Sequence, residues 1–278
     1  LEECGAVIRT APICRENCVL DTSALLDLLN PKTRIVAVGM ASNSVGSISD
    51  VRRIIRAAHD VGSWVYLDAV HYAPHGPIDV RTLDCDFLVC SAYKFFGPHV
   101  GLVYGKKEHM ERLLPYKVRP VADKIPDRWE TGTQNHEGLA GFIASVNYLA
   151  DVGRLWGIEC QNELPGKSER RGFLLGGMKA IRQYERMLTE ELVRGLLEIK
   201  GLEFYGIRNF QQFEQRVPTV SIRIRGQHPR EIARALGREG FFVWDGNYYA
   251  LRLSEQLGVE STGGMVRIGL AHYNTTEE

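Results

Sequence analysis

Nowhere is the chain apolar for the roughly 20 residues that a bilayer-spanning helix needs. It also has no excess charge of either sign, since 34 basic residues balance 34 acidic ones. That removes the electrostatic reason to expect nucleic acid or an anionic membrane as a partner. No CxxC pair occurs, and although Cys14 and Cys18 lie close, no second pair completes a metal-ligand set. No metal site is therefore expected. No GxGxxG follows an expected strand, which counts against a Rossmann-type nucleotide binder. Internal repeats, low-complexity tracts and a signal peptide are missing too. The sequence opens at Leu1, without Met and inside ordinary globular sequence, as a fragment, a processed chain or a trimmed one would.

What is present is the composition of a globular protein: 278 residues, 44% hydrophobic and 24% charged, enough for a large domain and a smaller one. Of the six cysteines, Cys85 and Cys90 lie in or beside an apolar run and read as reduced core thiols of a cytoplasmic protein. Ala6 to Ile13 reads as a short strand, and Asp21-Thr22-Ser23 offers an N-cap for a short helix over Ala24–Leu29 that stops at Asn30-Pro31. The nearly unbroken apolar run Arg34–Ala41 predicts a strand buried on both faces. Val51, Ile54, Ile55, Ala58 and Val61 recur at the helical period after Ser49-Asp50, with Gly62 as the stop. Trp64–Leu67 and Asp86–Ser91 are the next buried strands, and Gly101–Gly105 a further one. This alternation predicts a mostly parallel sheet with crossovers and helices on both faces.

Past an irregular stretch rich in proline, long helices are expected over about 137–151 and 170–200, joined by a connector over 157–166. Gly172, Gly176 and Gly177 weaken the start of the second helix. The remainder changes to strands at 202–206, 217–224, 241–244 and 265–271, with a helix over 228–240 started by Pro229. Residues 1–160 are thus expected to form a large α/β domain and 161–278 a small α+β domain.

In parallel sheets, ligands bind beyond the carboxyl ends of the strands. Three polar groups fall there: Ser42-Asn43, Asp68 with His71, and Ser91 with Lys94. Lys94 sits among Tyr93, Phe95 and Phe96. Aromatic neighbours desolvate an ammonium and lower its pKa, which suits an amine nucleophile; the plainer reading is a lysine stem lying along the rings with its charge in water. Asp68 is either a cap or salt-bridge carboxylate, or the anion that keeps a cofactor's ring nitrogen protonated. His71 is a donor to a phenolic oxygen or a solvated loop histidine. Ser91 is a phosphate ligand or a plain strand-end hydroxyl. Tyr93 is a phosphate ligand or a core aromatic.

Asp68-Ala-Val-His71 followed by Ser91-Ala-Tyr-Lys94-Phe-Phe-Gly-Pro98 closely resembles the class V aminotransferases, fold-type I pyridoxal-phosphate enzymes, in their cysteine desulfurase-like branch. The resemblance extends to Ala41–Gly46, Glu130–Asn135 and Val266–Asn274. It implies that Lys94 carries pyridoxal 5'-phosphate covalently and moves the Cα proton. Asp68 is then the partner of the pyridine nitrogen, Ser91 a phosphate ligand, and Asn43 a neighbour of the ring oxygen or the substrate carboxylate. Arg267 clamps the substrate carboxylate with a bidentate pair. Thr133 reaches the phosphate in a partner subunit, which implies a homodimer with shared sites. His71 stands where desulfurases usually have glutamine, and Tyr93 where many have histidine.

Two departures set the functional expectation. Desulfurases carry a nucleophilic cysteine in a small-domain loop, whereas the region 244–264 here reads Asp245-Gly-Asn-Tyr-Tyr249 and no cysteine follows Cys160. A persulfide mechanism needs a thiolate, so the expected reaction on a small amino acid is one without it: carbon–sulfur lysis, epimerisation or transamination. Specificity is expected in the loop Asp245–Tyr249. The early strands, phosphate loop and ring-stacking residue of the family would precede Ala6. The alternative expectation is therefore a truncated or non-catalytic relative that dimerises without binding cofactor productively.

Overall fold

The computed structural model describes residues 2–130, 132–157 and 169–278. Cys160, most of the connector expected over 157–166 and the expected domain boundary lie outside the described residues.

The chain begins with a small hairpin, β1 (Ile13–Cys14) paired antiparallel with β2 (Val19–Leu20). Of the strand expected over Ala6–Ile13, only Ile13 lies in β1, because residues 6–11 find no strand partner and Pro12 receives a single backbone bond, from the Asp21 amide at 3.0 Å. Asp21 caps α1 (Thr22–Asp27), accepting from the Ala24 amide at 2.9 Å. The first large sheet then runs in the order β3 (Ile35–Gly39), β4 (Trp64–Asp68), β5 (Phe87–Ser91) and β6 (Gly101–Gly105). The first three strands are parallel and β6 is antiparallel to β5.

Between β3 and β4, α2 (Val51–Asp60) is capped by Asp50 and buries Val51, Ile54, Ile55 and Ala58, the positions its period marked. Together with Leu25 of α1 they pack on Val36, Val38, Val65, Leu67 and Leu88. The other face of β3 is open. Its residues alternate, so Val36 and Val38 are buried while Ile35 is 50% exposed. The expectation of burial on both faces fails for this strand.

A short α3 (Val80–Leu83) precedes β5, and α4 (Lys107–Arg112) follows β6. Then come two long helices, α5 (His136–Trp156) and α6 (Glu169–Glu198), which pack closely on each other. A Cβ on Gly153 would overlap the Phe173 carbonyl, and one on Gly157 would stand 2.6 Å from Gly176. Glycine here sets how near the two backbones come.

The second large sheet has the order β7 (Leu202–Tyr205), β8 (Thr219–Ile224), β10 (Met265–Gly269), β9 (Trp244–Gly246), all antiparallel. Its core joins Val220, Ile222 and Val266 to Val193 and Leu196 of α6 and to Ile232 of α7 (Pro229–Arg238). Between β9 and β10 lies α8 (Leu251–Leu257). Among the described residues, no helix is long and apolar enough to cross a membrane.

The two sheets meet at one seam. The loop after β3 folds back so that Ser42 N–H donates to Ser47 O at 2.9 Å. Gly46, at φ +77°, passes so near the start of β8 that a Cβ would overlap Thr219 O and stand 2.8 Å from Val217 O. Val217 N–H donates to Gly46 O at 2.8 Å, and Ser221 Oγ to Ser44 O at 2.6 Å.

Candidate active site

The site is built first by strand register. Asp68 closes β4 and is paired with Gly39 of β3 and Val89 of β5. Paired residues share a face and alternate residues return to it, so Ser91 lies on the same face as Asp68. Gly39 and Gly101 flank these two positions, Gly101 being the register partner of Ser91. A Cβ on Gly39 would meet only Ala41 O, at 3.8 Å, and one on Gly101 nothing within 4 Å. The carboxylate and the hydroxyl therefore border open space. Asp68 Oδ1 accepts from the Val70 amide at 2.9 Å. Among the described residues, no cation lies within salt-bridge distance of Asp68, which excludes the salt-bridge reading.

Lys94 follows on a 3-10 turn, Ala92–Phe95, at the end of β5. Buried Ala92 anchors the turn: its amide donates to Val100 O at 2.8 Å and its carbonyl accepts from Gly97 N–H at 2.9 Å. Phe95 packs edge-on against Phe142 of α5, and Phe96 against His272. Both phenylalanines thus fasten the turn. Of the three aromatics expected around the lysine, Tyr93 is the one whose ring meets Nζ, 5.1 Å from its centroid. Tyr93 is 46% exposed and stacks on His99, so it is no core aromatic.

The far wall comes from the second sheet. Arg267 on β10 donates through Nη1 to Asn43 O at 3.0 Å, and its guanidinium lies 4.7 Å from the Tyr248 ring centroid. Asn43 Nδ2 in turn donates to Tyr248 O at 2.8 Å. Partial burial lowers the guanidinium pKa, with Tyr248 opposing. This arginine is no free surface side chain: its head is oriented toward the strand ends of the first sheet.

His71 bridges the same seam, with Nε2 2.8 Å from Thr219 Oγ1 of β8. Burial pushes its pKa down to about 3, and His75, Arg267 and Lys94 act in the same direction. The imidazole is neutral at ordinary pH, which excludes the solvated-loop reading. Behind it, His75 meets the His71 ring edge-on at 5.6 Å and holds Glu185 of α6 at 2.8 Å through Nδ1.

Asp68, His71, Ser91, Lys94, Asn43 and Arg267 therefore gather at one end of the first sheet. Thr133 does not join them: it is exposed, in the loop before α5, and no hydrogen bond links it to them among the described residues. Two partners went unnamed in the sequence. Thr219 carried a faint signal, since the alternation of Val220, Ile222 and Ile224 puts Thr219 and Ser221 on the opposite face. Tyr248 lay within the loop assigned to specificity.

The family model for aminotransferase class-V matches residues 1–159 and 173–278.

The chain belongs to the class V aminotransferase family.

Members of this family use pyridoxal 5'-phosphate. The chain is 28% identical to a cysteine desulfurase of Pectobacterium atrosepticum, aligned over 99% of this chain and 62% of that protein. It is 31% identical to one of Synechococcus elongatus, over 99% of this chain and 41% of that protein. The apo structure of a cysteine desulfurase from Thermococcus onnurineus superposes with a TM-score of 0.79 at 25% identity, covering 97% of this chain and 62% of that one. The Escherichia coli cysteine desulfurase CsdA gives 0.73 at 27% identity, over 92% and 59%. The chain thus spans 41–62% of the length of these relatives. Their fold is the fold-type I α/β architecture.

The residues present fit the family's cofactor. A carboxylate without an ion pair among the described residues, a hydroxyl and an amine stand at adjacent strand ends beside two glycines that leave the space open. A pyridinium nitrogen, a phosphate and an aldehyde call for such a set. No group of three or more metal-binding side chains is found among the described residues.

Proposed function

We propose that this chain acts in a pyridoxal-phosphate-dependent enzyme of the cysteine desulfurase-like type. Its substrate is a small amino acid, and its reaction needs no protein-borne persulfide. The observation that carries this reading is the trio Asp68, Ser91 and Lys94 at neighbouring strand ends, Asp68 held by the Val70 amide and Lys94 lying against the Tyr93 ring, with the Arg267 guanidinium turned toward the same strand ends.

When bound, the cofactor supplies an electron-poor ring that accepts the electron pair left at the substrate's Cα. Asp68 keeps the ring nitrogen protonated. Ser91 donates to a phosphate oxygen. Lys94 anchors the cofactor and moves a proton to and from the substrate. Arg267, its reach limited by Asn43 and Tyr248, pairs with the substrate carboxylate. Residues 1–160 serve as the cofactor-bearing domain and 161–278 as the small domain that supplies Arg267.

The loop after β9 supports the persulfide-free reading, since Tyr248 and Tyr249 occupy it. The described thiols near the seam are poorly suited to act as thiolates: burial pushes Cys18 up to about 11 and raises Cys90 as well. Carbon–sulfur lysis, epimerisation and transamination all remain within reach of these residues. Keto-acid release, loss of optical activity and amine transfer separate them.

The test is titration of the purified chain with pyridoxal phosphate. The expected result is a visible absorption band, bleached by borohydride, that Lys94→Ala abolishes. A band unchanged in that variant would overturn the assignment of Lys94. No band in the parent chain would overturn cofactor binding and favour a non-catalytic relative.

A further inference from the structure

We infer that Thr219 is a positioning residue that sets the tautomer of His71 and so makes His71 a hydrogen-bond donor through Nδ1.

Thr219 is 3% exposed. A buried hydroxyl hydrogen without an acceptor is costly. Among the described residues, the one partner of Thr219 Oγ1 is His71 Nε2, at 2.8 Å. If Nε2 carried the proton, it would donate to Oγ1 and the hydroxyl hydrogen would have nowhere to go. With Nε2 bare, the hydroxyl donates to it and both groups are satisfied. The proton of a neutral ring then sits on Nδ1.

The surroundings keep the ring neutral. Lys94 on its turn after β5 and Arg267 on β10 are cations whose charges act on His71, and His75 on the same turn adds to them. The Glu185 carboxyl of α6 is engaged by His75. Thr219 is itself held in place, its carbonyl accepting from buried Arg216 Nη2 at 2.7 Å. A hydroxyl on one sheet thus dictates which atom of a histidine on the other can donate. The use of that donor toward the cofactor's ring oxygen rests on the function proposed above; the tautomer does not.

Long-range nitrogen–proton NMR of the purified chain without cofactor reads the tautomer directly, with His71→Gln assigning the signal. The parent chain should show His71 as the Nδ1–H form near neutral pH, the less common form of a free imidazole. Thr219→Ser should keep it. Thr219→Val removes the donor and should shift His71 toward Nε2–H. In the same variant, half-saturation by pyridoxal phosphate should rise by about tenfold, the worth of one hydrogen bond. A parent spectrum with Nε2–H overturns the inference, whether or not Thr219→Val folds. So does a folded Thr219→Val that keeps Nδ1–H. A chain with the Nδ1–H form that takes up no cofactor refutes the proposed function and leaves the role of Thr219 standing.

Discussion

Asp86 begins the run into β5, at the opposite end of that strand from Lys94, and it is 3% exposed. Its Oδ2 accepts from the Val65 amide at 2.7 Å and from His59 Nε2 at 2.9 Å. Its Oδ1 faces His109 Nε2 at 2.7 Å and Lys106 Nζ at 3.4 Å. Burial would raise this carboxyl, but the bonds from His59, Val65 and His109 together with the Lys106 charge reverse that and hold it below the usual carboxylate range. A depressed folded pKa means the native state favours the ionised form. The stabilisation is thus complete above the unfolded value of about 4 and is lost as pH falls through the folded one. Asp86→Asn should cost about 3–5 kcal/mol at neutral pH, because the partners are left buried around a neutral group. The gap between the parent and Asp86→Asn in denaturant midpoint should close below pH 4. At this scale, sequence reveals residues whose chemistry is unusual at their position, such as Lys94 and Asp68 at strand ends. It does not reveal Thr219, whose part depends on a neighbour 148 positions away.

The helix pair α5–α6 shows what an element can and cannot announce. Three glycines at the start of α6 read as weaknesses, and for Gly172 that is all they are: a Cβ there would meet nothing within 4 Å. Gly176 and Gly177 instead lie against Gly153 of α5 and Gly157 at its C-terminal cap. Gly172→Ala should therefore stabilise the chain by about 0.5–1 kcal/mol. Gly153→Ala should destabilise it by about 1–3 kcal/mol through forced separation of the helices. Thermal unfolding of the two variants, moving in opposite directions, checks both. Periodicity located α2 and α6 within a residue or two, because an amphipathic helix writes its buried face into its own sequence. Strands were less legible. The apolar run of β3 read as doubly buried, yet Ile35 stays open. The stretch 6–11 read as part of a strand, yet found no strand partner. Whether an extended segment pairs, and on which side it is covered, is decided by other parts of the chain.

For the molecule as a whole, the one expected site residue that stands apart, Thr133, bears on assembly. If Thr133 serves the partner's cofactor, subunits with Lys94→Ala and with Thr133→Ala should be inactive or impaired alone and regain activity when mixed. Each mixed dimer would then hold one doubly defective site and one intact site. Mixtures no more active than their parents would show that sites are not shared. Within one chain, the seam that joins Asn43 to Arg267 and His71 to Thr219 spans 224 and 148 positions. Synthesis from the amino end delivers these partners far apart in time, and domains fold as they emerge. The first sheet, with Lys94 already on its turn, can therefore form while Arg267 is still unmade. On the function proposed above, a growing chain then holds its cofactor-binding amine before it has the means to select what that amine meets, and β10 is the step of synthesis at which selection becomes possible.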